Sequence, residues 1–437
     1  MNLESLLLLL IYLLPILAIG AFMRHRKHKK KQQVIELLEK NKQMGLMEPA
    51  SLHPSIDANL CIACNSCIHA CPEHDVIGLI DSKAVLVNPT HCIGHGACAA
   101  ACPLDAITLV FGTEQRGLDI PNVNNNFETN VPGIFIVGEL GGMGLIRNAM
   151  EQGKQGIDSV RKKSGLGQGD SYDIVIIGAG PAGISASLCA KNERLKYVTL
   201  EQESLGGTVS HYPRGKIVMT QPLQLPLVGK IKFRETSKEK LLELWQDIVH
   251  KYQLNIHYQE RFEAILSREN GLFHIKTNKQ QYHTKNIMLA IGRRGTPRKL
   301  GAKGEDLNKV VYRLIDASQY AGQKVLVVGG GDSALEAATT IADEQGTEVI
   351  LSYRSNAFSR AKEKNRLRVE HAAAQGKLQV LYASQVQEIT PEKVIIAHED
   401  TIKTFANDAV IISAGGILPT KMLQEMGIQI DTKFGTA

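Results

Sequence analysis

Seven of the chain's eight cysteines lie between Cys61 and Cys102. The first four read Cys61-x2-Cys64-x2-Cys67-x3-Cys71, closed by Pro72. The remaining three are Cys92, Cys98 and Cys102, closed by Pro103, with His95 where a repeat of the first run would put a cysteine. Thiolates are soft ligands, and so many in one short stretch can surround an iron–sulfur cluster. Zinc would also take thiolates, but it accounts poorly for a doubled Cys-x3-Cys-Pro pattern. The chemistry these residues point to is one-electron transfer.

A second chemistry is written in glycines. Tyr172–Ser185 (YDIVIIGAGPAGIS) reads as a buried strand running into Gly178-x-Gly180-x-x-Gly183 and a helix. The first glycine permits a tight turn, the second the approach of a pyrophosphate to the backbone, and the third close helix–strand packing. Glu201, at the end of the next apolar run, is placed to accept hydrogen bonds from a ribose diol. Lys324–Ala338 (KVLVVGGGDSALEAA) repeats the pattern as Gly329-x-Gly331-x-x-Ala334. Its following strand ends without a carboxylate and runs into Tyr353-Arg354-Ser355, with Arg360 and Lys362 beyond. A cation there pairs with a 2′-phosphate, which favours NADPH and leaves NADH as the alternative.

The elements that must position these residues follow from hydrophobic patterning. Ile134–Val137, Asp173–Ile177, Tyr197–Leu200, Lys324–Val328, Glu348–Leu351 and Ala409–Ile412 are strand-like runs alternating with helical stretches, the pattern of parallel α/β sheets. Lys162–Asp170 (KKSGLGQGD) has the composition of a flexible linker. Ser5–Met23 is uncharged and apolar, long enough as a helix of about 28 Å to cross a bilayer. It lacks the positive leading region and cleavage site of a signal peptide. Arg24, Arg26, Lys27, Lys29, Lys30 and Lys31 follow, which by the positive-inside rule puts the rest of the chain in the cytoplasm of a single-pass inner-membrane protein. Without those six, 44 Lys and Arg balance 44 Asp and Glu, which argues against a broad nucleic-acid-binding face. The expected organisation is an anchor with its basic flank (1–31), a linker (32–54), a cysteine domain (55–112), and two nucleotide domains covering 113–165 with 166–297, and 298–405, closed by a return segment (406–437). Residues 32–47 read as a spacer more readily than as an amphipathic helix.

Together these stretches resemble the thioredoxin-reductase-like flavoproteins. VVGGGDSALEAA is similar to that family's NADPH-domain signature, and SYRSNAFSRAK to its 2′-phosphate segment, with Arg354 kept and Ser355 in place of a second arginine. The resemblance covers about 127–437 and implies two Rossmann-like domains, FAD at the first glycine site and NAD(P)H at the second, and a homodimer. Thr129–Gly153 resembles the segment that ends such chains beside the flavin, yet it precedes the FAD fingerprint, which implies a circular permutation joined through Lys162–Asp170. Within it, Gly138 and Glu139 fall at the flavin, with Glu139 where the family has Asp. The cysteine block resembles bacterial two-cluster ferredoxins, a small α+β domain in which the fourth cysteine of each run ligates the other cluster. Carried over, Cys61, Cys64, Cys67 and Cys102 hold one [4Fe–4S] cluster, and Cys71, Cys92 and Cys98 serve the second. His95 is then a ligand of a [4Fe–4S] cluster, a bystander to a [3Fe–4S] cluster, or a neighbour of an empty site. His69, His74 and His91 read as surface residues.

The family's redox disulfide is missing, because no cysteine follows Cys189. Electrons from NAD(P)H by way of FAD are therefore expected to leave through the clusters, with hinges near 292 and 408 and no side-chain acid–base pair required. Two rivals stand beside this reading: a ferredoxin–NADP reductase running the other way, and a redox-sensing flavoprotein. The partner (a quinone, a ferredoxin or a haem protein) is open.

Overall fold

The computed structural model describes residues 3–43, 46–47, 49, 52–73, 75–92, 94–113, 117–141, 144–219, 223–231, 235–293, 295–359, 361–399 and 401–435, leaving aside the side chains of 3–16, 18, 27, 217, 219 and 235. The chain divides into two compact units, 1–110 and 111–436.

In the first unit a single helix, Leu3–Gln43, runs without a break from the apolar stretch through the segment expected to be a spacer. Its last turns are packed against the cysteine block. Asn41 is buried and donates from Nδ2 to the Val87 carbonyl at 2.9 Å, Lys31 pairs with Asp81 at 2.6 Å, and Val34 lies so close that a Cβ on Gly78 would stand 2.5 Å from it. The expected linker is thus partly a docked helix, because Val34 and Asn41 offer one face to the sheet edge. Among the described residues no helix is long and apolar enough to cross a membrane; residues 5–16, most of the apolar stretch, fall outside those whose side chains are described.

The cysteine block is framed by two antiparallel strand pairs. His53–Ile56 pairs with Ile107–Val110, which brings the start and end of the block together. Ile77–Ile80 and Lys83–Leu86 form a hairpin whose two turn residues, Asp81 and Ser82, both have positive φ, the backbone a two-residue turn needs to match strand twist. Val76, Ile77, Ala84 and Ile107 make the core together with Cys67, Cys71 and Cys98.

The second unit contains two five-stranded parallel sheets. The first runs in the order Ile256–His257, Tyr197–Leu200, Ile174–Ile177, Ile287–Leu289, Ile134–Ile136. The second runs Val310–Val311, Ala409–Ile412, Lys324–Val328, Glu348–Ser352, Leu378–Leu381. Their central strands are buried on both faces, which is why they read as continuous apolar runs; each fully buried Ile or Val contributes about 1.5–3 kcal/mol relative to exposure. Each sheet carries an antiparallel three-stranded companion, Phe262–Thr284 and Ser384–Ala406.

Ile134–Ile136 precedes the first glycine fingerprint in the chain but closes the far edge of its sheet, in parallel register with Ile287–Leu289. The helix after it, Ile146–Arg161, lies on the fingerprint helix Pro181–Asn192. Gly153 makes that possible, since a Cβ there would overlap the Ala182 carbonyl oxygen. The Gly-rich connector is not loose. Gly167 donates to Asp173 at 2.8 Å, and its Gln168 and Gly169 carbonyls accept from Lys285 and Lys196, both at 2.8 Å. The two passages between the sheets pair with each other at Thr296–Pro297 and Gly416–Ile417, about four and eight residues beyond the expected hinges. Lys216 and Glu336 add an ion pair at 2.6 Å between the two halves.

Candidate functional site

The first nucleotide site forms where the Ile174–Ile177 strand meets the Pro181–Asn192 helix. Gly178 sits at φ +104 with no room for a side chain, because a Cβ would stand 2.6 Å from the Ala290 carbonyl oxygen. A Cβ on Gly183 would overlap the Gly178 carbonyl oxygen, so strand end and helix start touch through bare backbone. Gly180 caps the helix in extended backbone with Pro181 following, and a Cβ on it would have only the Gly207 Cα, at 3.8 Å, for company. The helix's unpaired first-turn N–H groups therefore open onto a backbone-lined approach that suits a pyrophosphate.

Glu201 is buried, and its two oxygens accept from the Ala179 N–H at 2.7 Å and the Glu203 N–H at 2.9 Å. Burial pushes its carboxyl up, and these N–H groups work the other way. A carboxylate has about four acceptor sites, so roughly two remain for a diol. Gly138, at φ +80, has space for a Cβ only 3.0 Å from Ala182 Cβ, and Glu139 lies within 3.9 Å of where a Gly292 Cβ would stand. Burial raises the Glu139 carboxyl, opposed by the Arg293 charge and backbone N–H. The segment after the Ile134–Ile136 strand thus brings Gly138 to the start of the fingerprint helix and Glu139 beside Gly292 and Arg293. Sequence reasoning overlooked Gly207, whose Cβ would come 3.0 Å from Gly180 Cα; the Gly206-Gly207 pair after the Glu201 strand was the available signal.

The second nucleotide site has the same construction. Gly329, at φ +144, lies against the Ser413 carbonyl, and a Cβ on it would be 3.0 Å from Ala334 Cβ. Gly331 caps the Asp332–Ala342 helix with open space around its Cα. The Tyr353 ring covers Gly330 and stacks on Phe358, a contact absent from the expectations. Arg354 is exposed one residue further on; Arg360 lies outside the described residues.

In the cysteine block the seven cysteines and His95 sort into two cavities. One is lined by Cys61, Cys64, Cys67 and Cys102, the other by Cys71, Cys92, Cys98 and His95. Each run therefore sends its last cysteine to the other run's cavity. Burial pushes the Cys67, Cys92 and Cys98 thiols up, whereas the Ser66 hydroxyl lowers that of exposed Cys64. Backbone N–H groups of Ala84 and Ala106 reach the sulfurs of Cys61 and Cys102 at 3.4 and 3.3 Å. His95 Nε2 is buried without a hydrogen-bond partner among the described residues. Of the histidines expected at the surface, His69 is exposed, His91 is half-buried against Asp75 at 2.9 Å, and His74 lies outside the described residues.

Residues 175–436 match the pyridine nucleotide-disulphide oxidoreductase family, and residues 53–103 match the 4Fe-4S dicluster domain. Among curated proteins, bacilliredoxin reductase Bdr of Bacillus subtilis is 26% identical over 60% of this chain and 82% of its own length. A ferredoxin–NADP reductase of Ignicoccus hospitalis is 32% identical over 43% of this chain and 57% of its own. Among solved structures, the bacillithiol disulfide reductase Bdr of Bacillus cereus superposes with a TM-score of 0.54 at 24% identity, over 60% of this chain and 83% of that one, a likeness of fold.

Proposed function

We propose that this chain, which belongs to the pyridine nucleotide-disulphide oxidoreductase family, moves electrons between NADPH and an external partner by way of FAD and two iron–sulfur clusters. When bound, FAD takes hydride from the nicotinamide, and the clusters carry electrons singly. The protein's part is placement. Gly178, Gly180 and Gly183 would hold the FAD diphosphate on the Pro181–Asn192 helix, Glu201 its ribose, and Gly138 and Glu139 the far side of the same site. Gly329, Gly331 and Ala334 would hold the NADPH diphosphate, with Arg354 at the 2′-phosphate.

The observation that carries the reading concerns Cys189, the only cysteine outside the cluster block. It is 3% exposed in the core between two helices, and burial pushes its thiol up to about 12. Such a thiol neither exchanges disulfides nor has a partner in sequence. The thiolate clusters are the chain's remaining redox groups.

The relatives named ferredoxin–NADP reductase favour a second direction, in which electrons enter at the clusters and reduce NADP. Within the same proposal, Ile134–Arg161 fills the place of the family's terminal strand and helix by circular permutation. Residues 5–23 anchor the chain in the inner membrane from its cytoplasmic side; Leu17, Ile19, Phe22 and Met23, all more than half exposed, support that. Anaerobic NADPH titration of the purified chain, followed by optical and EPR spectra, tests the function. Bleaching of flavin followed by reduced-cluster signals is expected. A flavin that NADPH leaves oxidised, or clusters that stay oxidised once the flavin is reduced, would overturn it.

A further inference from the structure

The two cysteine runs share more than spacing. In the first, the residues on either side of Cys64 both have positive φ, Ala63 at 58° and Asn65 at 66°. In the second, the residues on either side of His95 do the same, Gly94 at 74° and Gly96 at 77°. Asn65 and Gly96 each cap a short helix, with ψ of −1° and 0°. Each carbonyl then accepts from the N–H groups three and four residues on, all at 3.1 Å: Ile68 and His69 in the first run, Ala99 and Ala100 in the second. The next ligand, Cys67 or Cys98, is buried in both. A side chain at 95 therefore leaves the backbone as the side chain at 64 does, toward the cavity its run lines.

Positive φ is strained for Ala63, so the first loop is held there by more than propensity, and the second adopts the same path with glycines, which take it freely. Each cavity is lined by four Cys or His side chains, His95 standing in the second where the first has only cysteines. His95 lines that cavity with Cys71, Cys92 and Cys98, and its buried Nε2 has no hydrogen-bond partner among the described residues. A buried nitrogen without a partner is costly, and bonding to a metal removes that cost. Glu73 lines the same cavity but lies outside the repeated Cys-x2-His-x2-Cys frame.

We infer that His95 is the fourth protein ligand of the second cluster, a [4Fe–4S] cluster bound by Cys71, Cys92, Cys98 and the Nε2 atom of His95. This rests on the proposal above that the block holds clusters. Each cysteine loses its thiol proton on binding, whereas the imidazole, neutral with its proton on Nδ1, gives the Nε2 lone pair to iron and releases none. One anionic thiolate is thereby replaced by a neutral ligand. The second cluster carries one negative charge less than the first in the same oxidation state, and its potential is the more positive of the two. Electrons in the chain collect there.

The test uses the full chain, anaerobically reconstituted with iron and sulfide, with histidine labelled with nitrogen-15. Pulsed EPR of the reduced protein is expected to show one strongly coupled nitrogen-15, absent in His95→Cys. In that variant the second cluster keeps its iron, and its potential falls toward that of the first. In His95→Ala the oxidised protein is expected to show a [3Fe–4S] signal that the parent lacks. The inference fails if the parent already shows that signal, if no nitrogen couples, if Glu73→Gln rather than His95→Cys abolishes the coupling, or if only the first cluster assembles. A chain that takes up no cluster at all would instead overturn the underlying proposal.

Discussion

The two inner glycines of the FAD fingerprint should respond differently to the same methyl group. At Gly183 a Cβ overlaps the Gly178 carbonyl oxygen, so strand end and helix start must part by roughly 1.5 Å to reach van der Waals distance. Overpacking of this kind costs about 1–3 kcal/mol, against which alanine returns about 1 kcal/mol of helix propensity. At Gly180 the backbone is ordinary extended chain, and the nearest atom to a new Cβ is 3.8 Å away. There the flavin-free protein should change by less than about 0.5 kcal/mol. Both variants should bind FAD poorly, Gly183→Ala because its helix start has moved and Gly180→Ala because the methyl stands in the approach of the diphosphate. Loss of one hydrogen bond to a charged phosphate, about 1.5–3 kcal/mol, weakens binding roughly ten- to a hundredfold. Thermal unfolding of the flavin-free proteins and titration of flavin fluorescence read the two effects separately. The reasoning is refuted if Gly183→Ala keeps parental FAD affinity, or if Gly180→Ala destabilises the flavin-free protein as much as Gly183→Ala does.

Three further outcomes follow from named contacts. Burial alone would raise the Asp173 carboxyl, but Lys285 at 2.9 Å and the N–H groups of Lys196 and Gly167 hold it below its usual value. A carboxyl lowered in the folded state adds stability above its unfolded pKa, about 3.9, and that stability fades as pH falls through the folded value. Asp173→Asn should therefore cost about 1–3 kcal/mol near neutral pH and flatten the acid limb of the melting-temperature profile; a parental slope below pH 4 would count against the pair. Arg354→Ala should raise KM for NADPH about tenfold, the low end for a charged hydrogen bond on an exposed side chain, and leave KM for NADH unchanged; equal rises in steady-state assays would remove Arg354 from the 2′-phosphate. Cys189→Ala should cost about 1 kcal/mol by chemical denaturation and keep NADPH oxidation with an artificial acceptor within about twofold of the parent; loss of turnover would mean that electrons pass through Cys189.

Much of the site could be read locally. The turn at Gly178, the close approach at Gly183 and the cysteine spacing each involve residues a few positions apart, so residue type and interval carry the information. The strands expected at 173–177, 197–200, 324–328 and 409–412 formed within a residue of those bounds, because burial on both faces leaves an uninterrupted apolar run. The misreadings involved distant partners. Residues 32–43 looked like a spacer because Val34 and Asn41 reveal a packed face only beside Gly78 and Val87. Lys162–Asp170 looked flexible because glycine content says nothing about Asp173, Lys196 and Lys285 holding its backbone.

By itself, the sequence determined which groups this protein has for chemistry: two glycine cradles, seven clustered thiols with a histidine in register, and no second cysteine beside Cys189. Their partners were a matter for the tertiary structure. The fold sent Cys102 to the cavity of Cys61 and Cys71 to that of Cys92, set the Ile134–Ile136 strand beside Ile287–Leu289, and left His95 Nε2 buried without a partner among the described residues. The physical reason is range. Spacing along a chain constrains neighbours within a turn or two, whereas a ligand set or a sheet edge depends on which distant segments the core brings into contact.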